Sequence, residues 1–371
     1  MRVSSVVVVA VAVVAAACPA GAAVTEVASF GDNPGNLKMF VHAPAAGGAL
    51  PLVVALHGCT QDKDFADDAG LTALADDAGF IVVTPEQQGA NNLQSCFNWF
   101  LADDITRGSG EVQSILNMVA QAKADHDVDA DRVFVTGVSA GAAMGAVLLA
   151  VAPDVFAGGA LFAGVPYGCA ETLAEGFACM SSGDPSLDQA GWAAVVDAVA
   201  PAGSAPPRVA IWHGTSDTTV NIANADQLVL QWTGAHGLSS TPTSEETTGA
   251  VTRRRFGTAV EQIRVSGMDH AVPNDPGAGC GAAAAFFDDA PGVCGAREAA
   301  VFFGLVDDVG EGEGEEGEGE EGEGEEGEGE EGEGEEGEGE GEGEEGGCAA
   351  VPVDVVAGAA AFALLAWRRR R

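Results

Sequence analysis

A chain of 371 residues with 56 acidic and only 16 basic side chains carries a formal charge of −40, a balance that excludes nucleic acid and anionic membrane surfaces as natural partners. Part of the excess is local, because residues 311–347 hold 21 Glu and no apolar residue. With that tract, Asp354, Arg2 and the last four Arg set aside, 34 acidic residues still face 11 basic ones, so the body of the chain is acidic in its own right.

Residues 1–23 open with Arg2, continue as an apolar run over 6–17 and end in small residues. This is the pattern of a secretory signal peptide, with Ala20 and Ala22 marking cleavage after Ala22. Cys18 admits a lipid-modified alternative, against which Pro19 stands, and the apolar run is short for a spanning anchor. Residues 24–309 then alternate between strand and helix patterns. Apolar, β-branched runs predict strands over 37–42, 52–57, 80–84, 133–136, 157–163 and 209–213, with a last strand over 263–266. Helices are predicted over 65–78 (Phe65, Ala69, Leu71 and Leu74 near one face) and 111–124 (Val112, Ile115, Leu116 and Val119 at helical spacing). Three more are predicted over 142–151, 223–233 and 297–303. Residues 165–206, rich in Gly, Pro and Cys, read as an excursion outside the sheet. Strands alternating with helices predict a single α/β domain, a mainly parallel sheet with helices on both faces. Residues 310–347 are almost only Glu and Gly, a self-repelling spacer with a reach of at most ~120 Å. Residues 348–371 close the chain with Cys348, a short apolar run over 355–367 and Arg368 to Arg371.

The stretch Gly137-Val138-Ser139-Ala140-Gly141 fits G-x-S-x-G between a predicted strand and a predicted helix, the setting of a nucleophile elbow. Its glycines suit a strained, crowded turn. A nucleophilic serine needs a base, an acid to orient the base, and donors for the oxyanion. In the α/β-hydrolase order the acid and then the His follow the Ser. Three His follow Ser139: His213, His236 and His270. His236 ends a polar helix and reads as solvated. His213 ends the strand of "VAIWHG" and reads as shaping a turn. His270, in "VSGMDHAVP" just after the last predicted strand, is where the base belongs. Asp217, in "WHGTSDTTV", can bring a carboxylate to that imidazole, whereas Asp226 lies inside the next helix and Asp269 is adjacent to the His. The backbone N–H groups of Ala140 and of Cys59, in "LVVALHGCTQ", are the expected oxyanion donors.

Apart from Cys18 and Cys348, six Cys remain, an even number that suggests disulfides in an exported domain. Six allow 15 pairings. Two pairs are local, Cys169–Cys179 and Cys280–Cys294, which leaves Cys59–Cys96; free buried thiols are the alternative. No C-x-x-C or completing His is spaced for a zinc site, and no metal or organic cofactor is expected.

With these residues placed, residues 48–305 resemble the polyhydroxybutyrate depolymerase family of secreted α/β-hydrolase esterases. The likeness is carried by "PLVVALHGCTQ", "CFNWF", "GEVQSILNMV", "DRVFVTGVSAG", "GVPYG", "WHGTSDTTVNIANADQLVLQW" and "GMDHAVP". It implies an α/β-hydrolase fold, Ser139 as nucleophile, Asp217 as acid, His270 as base and a Cys59–Cys96 bridge. Feruloyl and acetylxylan esterases are relatives with the same fold and triad. In one respect the chain departs from the family, which often carries Trp two residues after the His, where this chain has Val272. Trp99 and Tyr167, the single tyrosine, are candidates to line the cleft. The tail from Gly347-Cys348 through the apolar run to the Arg cluster resembles the MYXO-CTERM type of bacterial sorting segment. That implies processing near Cys348 by export and sorting machinery and retention at the cell surface; a plain tail anchor is the alternative.

These readings converge on a secreted, surface-tethered serine esterase acting on polyhydroxybutyrate-type polyesters or their short oligomers. The alternative substrates are feruloyl or acetyl esters of plant polysaccharide. Two other classes are weaker: a catalytically dead binding module, which an intact Ser, Asp and His disfavour, and a cation-collecting surface protein, since the Glu/Gly tract lacks fixed ligand geometry.

Overall fold

The computed structural model describes residues 22–45 and 47–308. The expected signal peptide therefore lies outside the described residues except for its last two positions, and the expected spacer and sorting segment with Cys348 lie wholly outside them.

In chain order the elements are β1 (Thr25–Val27), β2 (Lys38–His42), β3 (Leu50–Leu56), α1 (Phe65–Asp68), α2 (Leu71–Ala78), β4 (Ile81–Glu86), α3 (Ala102–Ile105), α4 (Gly110–Asp125), β5 (Val128–Val138), α5 (Ala140–Val151) and β6 (Gly158–Phe162). There follow α6 (Leu173–Ser182), α7 (Gln189–Asp197), β7 (Arg208–Gly214), α8 (Ala223–Ala235), β8 (Ser244–Thr248), β9 (Val251–Phe256), β10 (Val260–Val265), β11 (Val272–Asn274), β12 (Phe287–Asp289) and α9 (Gly295–Phe303). Ten strands form one sheet in the order β1-β2-β4-β3-β5-β6-β7-β10-β9-β8. The run from β4 to β10 is parallel, and antiparallel strands finish both edges. This is the α/β-hydrolase arrangement.

β3, at the centre of the sheet, is apolar at every position because both of its faces are covered. Along β3, Leu52, Val54 and Leu56 face a core shared with Ile115 and Met118 of α4, Leu148 of α5 and Trp232 of α8. Val53 and Ala55 face the other way, into a core with Phe65 of α1, Leu71 and Ala75 of α2 and Phe302 and Phe303 of α9. The alternation of side chains along a strand thus sorts one sequence run into two layers.

Two expectations need correction. The helix predicted over 65–78 is broken between α1 and α2, because Gly70 sits at φ 76 and a Cβ there would lie 2.7 Å from the backbone nitrogen of Gly281. The strand predicted over 263–266 is the end of β10, which stops at Val265, rather than the last strand, since β11 and β12 pair in a small sheet beyond it. The hairpin of β8 and β9 carries no apolar alternation. It is laced instead by charge pairs, Arg254–Glu245 at 2.7 Å within it and Arg253–Glu261 at 2.7 Å joining β9 to β10. The excursion over 165–206 does leave the sheet, and it folds as α6 and α7, whose N-termini are capped by Thr172 and Asp188.

Candidate active site

The parallel strands deliver their C-terminal ends to one edge, and the loops after β3, β5, β7 and β10 carry the chemically interesting side chains. Ser139 sits between β5 and α5 at φ 56, ψ −120. A side chain in such a conformation stores of order 1–3 kcal/mol of strain. The turn is held because the Ser139 N–H donates to the Phe162 carbonyl at 2.9 Å. It is also too tight for side chains on either flank: a Cβ at Gly137 would lie 2.7 Å from the Leu56 carbonyl oxygen, and one at Gly141 would lie 2.5 Å from that of His57. The flanking glycines are therefore required by β3, the neighbouring strand.

Asp217 and His270 come together from the loops after β7 and β10, with His270 Nδ1 at 2.8 Å from Asp217 Oδ2. The other carboxylate oxygen, Oδ1, accepts from the backbone N–H groups of Thr219 (2.9 Å) and Val220 (2.8 Å). Burial works against the charge on Asp217, but the hydrogen bonds from His213 and His270 prevail and hold its carboxyl well below the usual carboxylate range. His270 Nε2 is buried and has no hydrogen-bond partner among the described residues. A ring nitrogen left open while its opposite is anchored to a carboxylate is poised to accept a proton.

Two residues set aside in the sequence reading prove to build this arrangement. His213 is fully buried, donates from Nε2 to the Val220 carbonyl at 2.8 Å and lies 3.3 Å from Asp217 Oδ2. It supports the acid as well as shaping the turn. Asp269 Oδ1 accepts from the Thr218 N–H at 3.0 Å, tying the loop of Asp217 to the loop of His270. Phe286, at φ 68, stands edge-on to His270 with ring centroids 6.0 Å apart, and its carbonyl accepts from the Val272 N–H at 2.9 Å. An aromatic ring thus flanks the imidazole although position 272 is Val.

Beside Ser139 opens a cavity of about 530 Å³, lined also by Cys59 and Ala140. Among the described residues no hydrogen bond engages the N–H of Cys59 or of Ala140. Trp99 forms part of the cavity wall with Phe100, Val165 and Met180. Tyr167 does not line it: the residue is buried in the core, with its backbone N–H and carbonyl both bonded to the Gln231 side chain at 3.0 and 2.8 Å. All three disulfides are present, Cys59–Cys96, Cys169–Cys179 and Cys280–Cys294. The first joins the loop after β3 to the cavity wall at "CFNWF".

The family model described as esterase PHB depolymerase matches residues 36–263. The chain belongs to this family. Within the esterase PHB depolymerase family it is 45% identical over 296 residues to poly(3-hydroxyalkanoate) depolymerase C of Paucimonas lemoignei, covering 76% of this chain and 70% of that protein. It is 34% identical over 269 residues to feruloyl esterase B of Talaromyces stipitatus, covering 68% and 74% of the two chains. Among solved structures, an acetyl xylan esterase from Aspergillus awamori superposes with a TM-score of 0.66 at 27% identity, covering 76% of this chain and all of the other. The chain is therefore an esterase by family. Ser139 and Asp217 fall inside the family match, and His270 falls just beyond its end.

Proposed function

We propose that the chain hydrolyses polyhydroxyalkanoate-type polyesters or their oligomers through a Ser139–His270–Asp217 triad. Ser139 Oγ attacks the ester carbonyl while His270 Nε2 takes its proton, and Asp217 stabilises the resulting imidazolium. The N–H groups of Cys59 and Ala140 receive the oxyanion. Collapse of the tetrahedral intermediate expels the alcohol, which recovers the proton from His270, and leaves an acyl-Ser139. Water, deprotonated by the same imidazole, attacks the acyl carbonyl. Ser139 leaves with the proton back on its oxygen and a carboxylic acid is released.

The observation that carries the substrate class is the cavity beside Ser139. Not one of its lining residues is charged, in a protein whose surface is dominated by carboxylates. Leu93, Leu173 and Phe177 stand at its rim with 94%, 57% and 60% of their surface exposed. A neutral, largely apolar chain extending out of the cavity would cover them, as a repeating aliphatic ester would. A polysaccharide ester is the second reading, favoured by the likeness to the acetyl xylan esterase structure.

We further propose that residues 24–309 are the catalytic domain of an exported protein, with the three disulfides suited to an oxidising compartment. Residues 1–23 are its signal peptide, 310–347 its spacer and 348–371 its surface-retention segment. The deciding experiment offers soluble 3-hydroxybutyrate oligomers, solid polymer, acetylated xylan and feruloylated sugars to the purified protein and to Ser139→Ala. Release of hydroxy acid from the first two, lost by ~10⁴-fold or more in the variant, is the expected result. Turnover of the sugar esters alone would overturn the substrate, and activity retained in folded Ser139→Ala would overturn the mechanism.

A further inference from the structure

Glu111, the second residue of α4, is only 1% exposed, and none of the ion pairs among the described residues includes it. Burial pushes its carboxyl up to about 8, the charge of Asp104 adds to the rise, and hydrogen bonds from Asn98 and Gln87 oppose it. A group so expensive to bury is kept where its hydrogen bonds organise something. One oxygen, Oε1, accepts from Gln87 Nε2 at 2.5 Å; the other, Oε2, accepts from the Asn98 N–H at 2.9 Å. Each partner leads to a different wall of the active site.

The Gln87 path runs toward the oxyanion loop. The Gln87 N–H donates to His57 Nε2 at 3.0 Å, which leaves the His57 proton on Nδ1, where it meets the Gly58 carbonyl at 2.7 Å. Burial lowers the His57 pKa, in keeping with a ring whose Nε2 accepts rather than donates. His57 and Gly58 immediately precede Cys59, which lines the cavity. The Asn98 path runs toward the cavity wall, because Asn98 is flanked by Phe97 and Trp99 in "CFNWF". Gln87 Nε2 also reaches the Cys96 carbonyl at 3.2 Å, so the two paths meet beneath the Cys59–Cys96 bridge.

We propose that Glu111 is a positioning residue for ester hydrolysis, the buried hub that sets the oxyanion loop against the cavity wall through Gln87–His57 on one side and Asn98 on the other. It touches neither substrate nor Ser139. Its role is to hold the Cys59 N–H at the place where the oxyanion forms, a placement that matters in the transition state more than in the bound substrate. The covalent bridge restrains the sulfur atoms; the Glu111 network restrains the backbone on both sides of them.

The proposal rests on the serine-esterase reading above, and the test separates the two. Wild type, Glu111→Gln, Glu111→Ala and Gln87→Leu are labelled with a fluorophosphonate to count reactive Ser139, and kcat and KM are measured per labelled site with a soluble p-nitrophenyl ester well below each melting temperature. Glu111→Gln keeps the shape but turns an amide N–H₂ toward one of the two donors. Its kcat per labelled site should fall ~10-fold, the equivalent of about one lost hydrogen bond, with KM within about threefold. Glu111→Ala should fall further. Gln87→Leu cuts the path to His57 while leaving the Asn98 bond, and should show the same loss in kcat. A merely structural role would lower the melting temperature and the labelled fraction but leave kcat per site unchanged, and that result overturns the proposal. Unchanged kcat in Gln87→Leu overturns it even if the Glu111 variants fail to fold. A wild type that is neither labelled nor active would instead sink the serine-esterase reading.

Discussion

Replacing Asp217 by Asn should reverse the tautomer of His270, and the surroundings of the carboxylate dictate the outcome. Oδ1 receives two backbone N–H groups, from Thr219 and Val220. An Asn at this position must place its carbonyl oxygen there, since a flipped amide would set N–H₂ against both donors. The N–H₂ group then occupies the site of Oδ2, 2.8 Å from His270 Nδ1. It can only donate, so Nδ1 becomes the acceptor and the ring proton moves to Nε2. In that form the imidazole cannot take a proton from Ser139. The same amide also faces His213 Nε2, which loses its contact with the carboxylate and keeps the Val220 carbonyl as acceptor. The loss in kcat should be ~10⁴-fold, about 5.4 kcal/mol of transition-state stabilisation. KM should change little, because the cavity beside Ser139 is untouched. The loop keeps its backbone acceptor, so the melting temperature should stay closer to wild type than that of Asp217→Ala, in which Thr219 and Val220 lose their partner. Steady-state kinetics on a soluble p-nitrophenyl ester with parallel thermal melts provide the assay. Activity of Asp217→Asn within tenfold of wild type would refute the assignment of Asp217 as the residue that orients the base.

Glu111 also makes a thermodynamic prediction. Its folded pKa is raised from an ordinary 4.5 to about 8, so between those pH values the folded state holds a proton that the unfolded state has released. Stability should therefore fall as pH rises through this window, by up to ~1.4 kcal/mol per pH unit, and Glu111→Gln should flatten the slope. Urea unfolding at pH 5 and pH 8 tests this: the variant should gain on wild type by at least ~1.4 kcal/mol between the two, and parallel curves would contradict it. At the cavity rim, Leu93→Asp and Phe177→Asp should depress hydrolysis of solid polyester more than hydrolysis of a short soluble ester, because the exposed side chains add contact only to an extended apolar substrate. Equal losses on both substrates, measured as released hydroxy acid, would remove the rim from substrate recognition.

Much of this molecule was legible in its sequence where local physics dictates structure. The apolar runs over 52–57 and 133–136 announced strands buried on both faces, and the glycines around Ser139 announced a turn too crowded for side chains. The order of Ser139, Asp217 and His270 matched the order in which an α/β sheet presents its loops. The exact stereochemistry of that turn, and the reason its glycines are required, came from β3, whose Leu56 and His57 carbonyls press against it. Sequence alone could not show that Asp269 braces the loop of Asp217, because that contact joins the loops after β7 and β10, which become neighbours only through the sheet order. Nor could it separate Trp99, which lines the cavity, from Tyr167, which packs in the core, since both are aromatic residues in Gly- or Asn-bearing loops. The break in the helix at Gly70 depends on Gly281, far along the chain. The charged hairpin of β8 and β9 is a strand pair without an apolar face, held by cross-strand ion pairs that no periodicity records. Glu111 is the extreme case: in the sequence it is a carboxylate in the first turn of a helix, an ordinary surface position. Only the packing of α4 against the loop after β4 buries it and turns it toward Gln87 and Asn98. Local turn chemistry and strand patterning are written residue by residue, whereas burial and hydrogen-bond partnership across loops are properties of the sheet order.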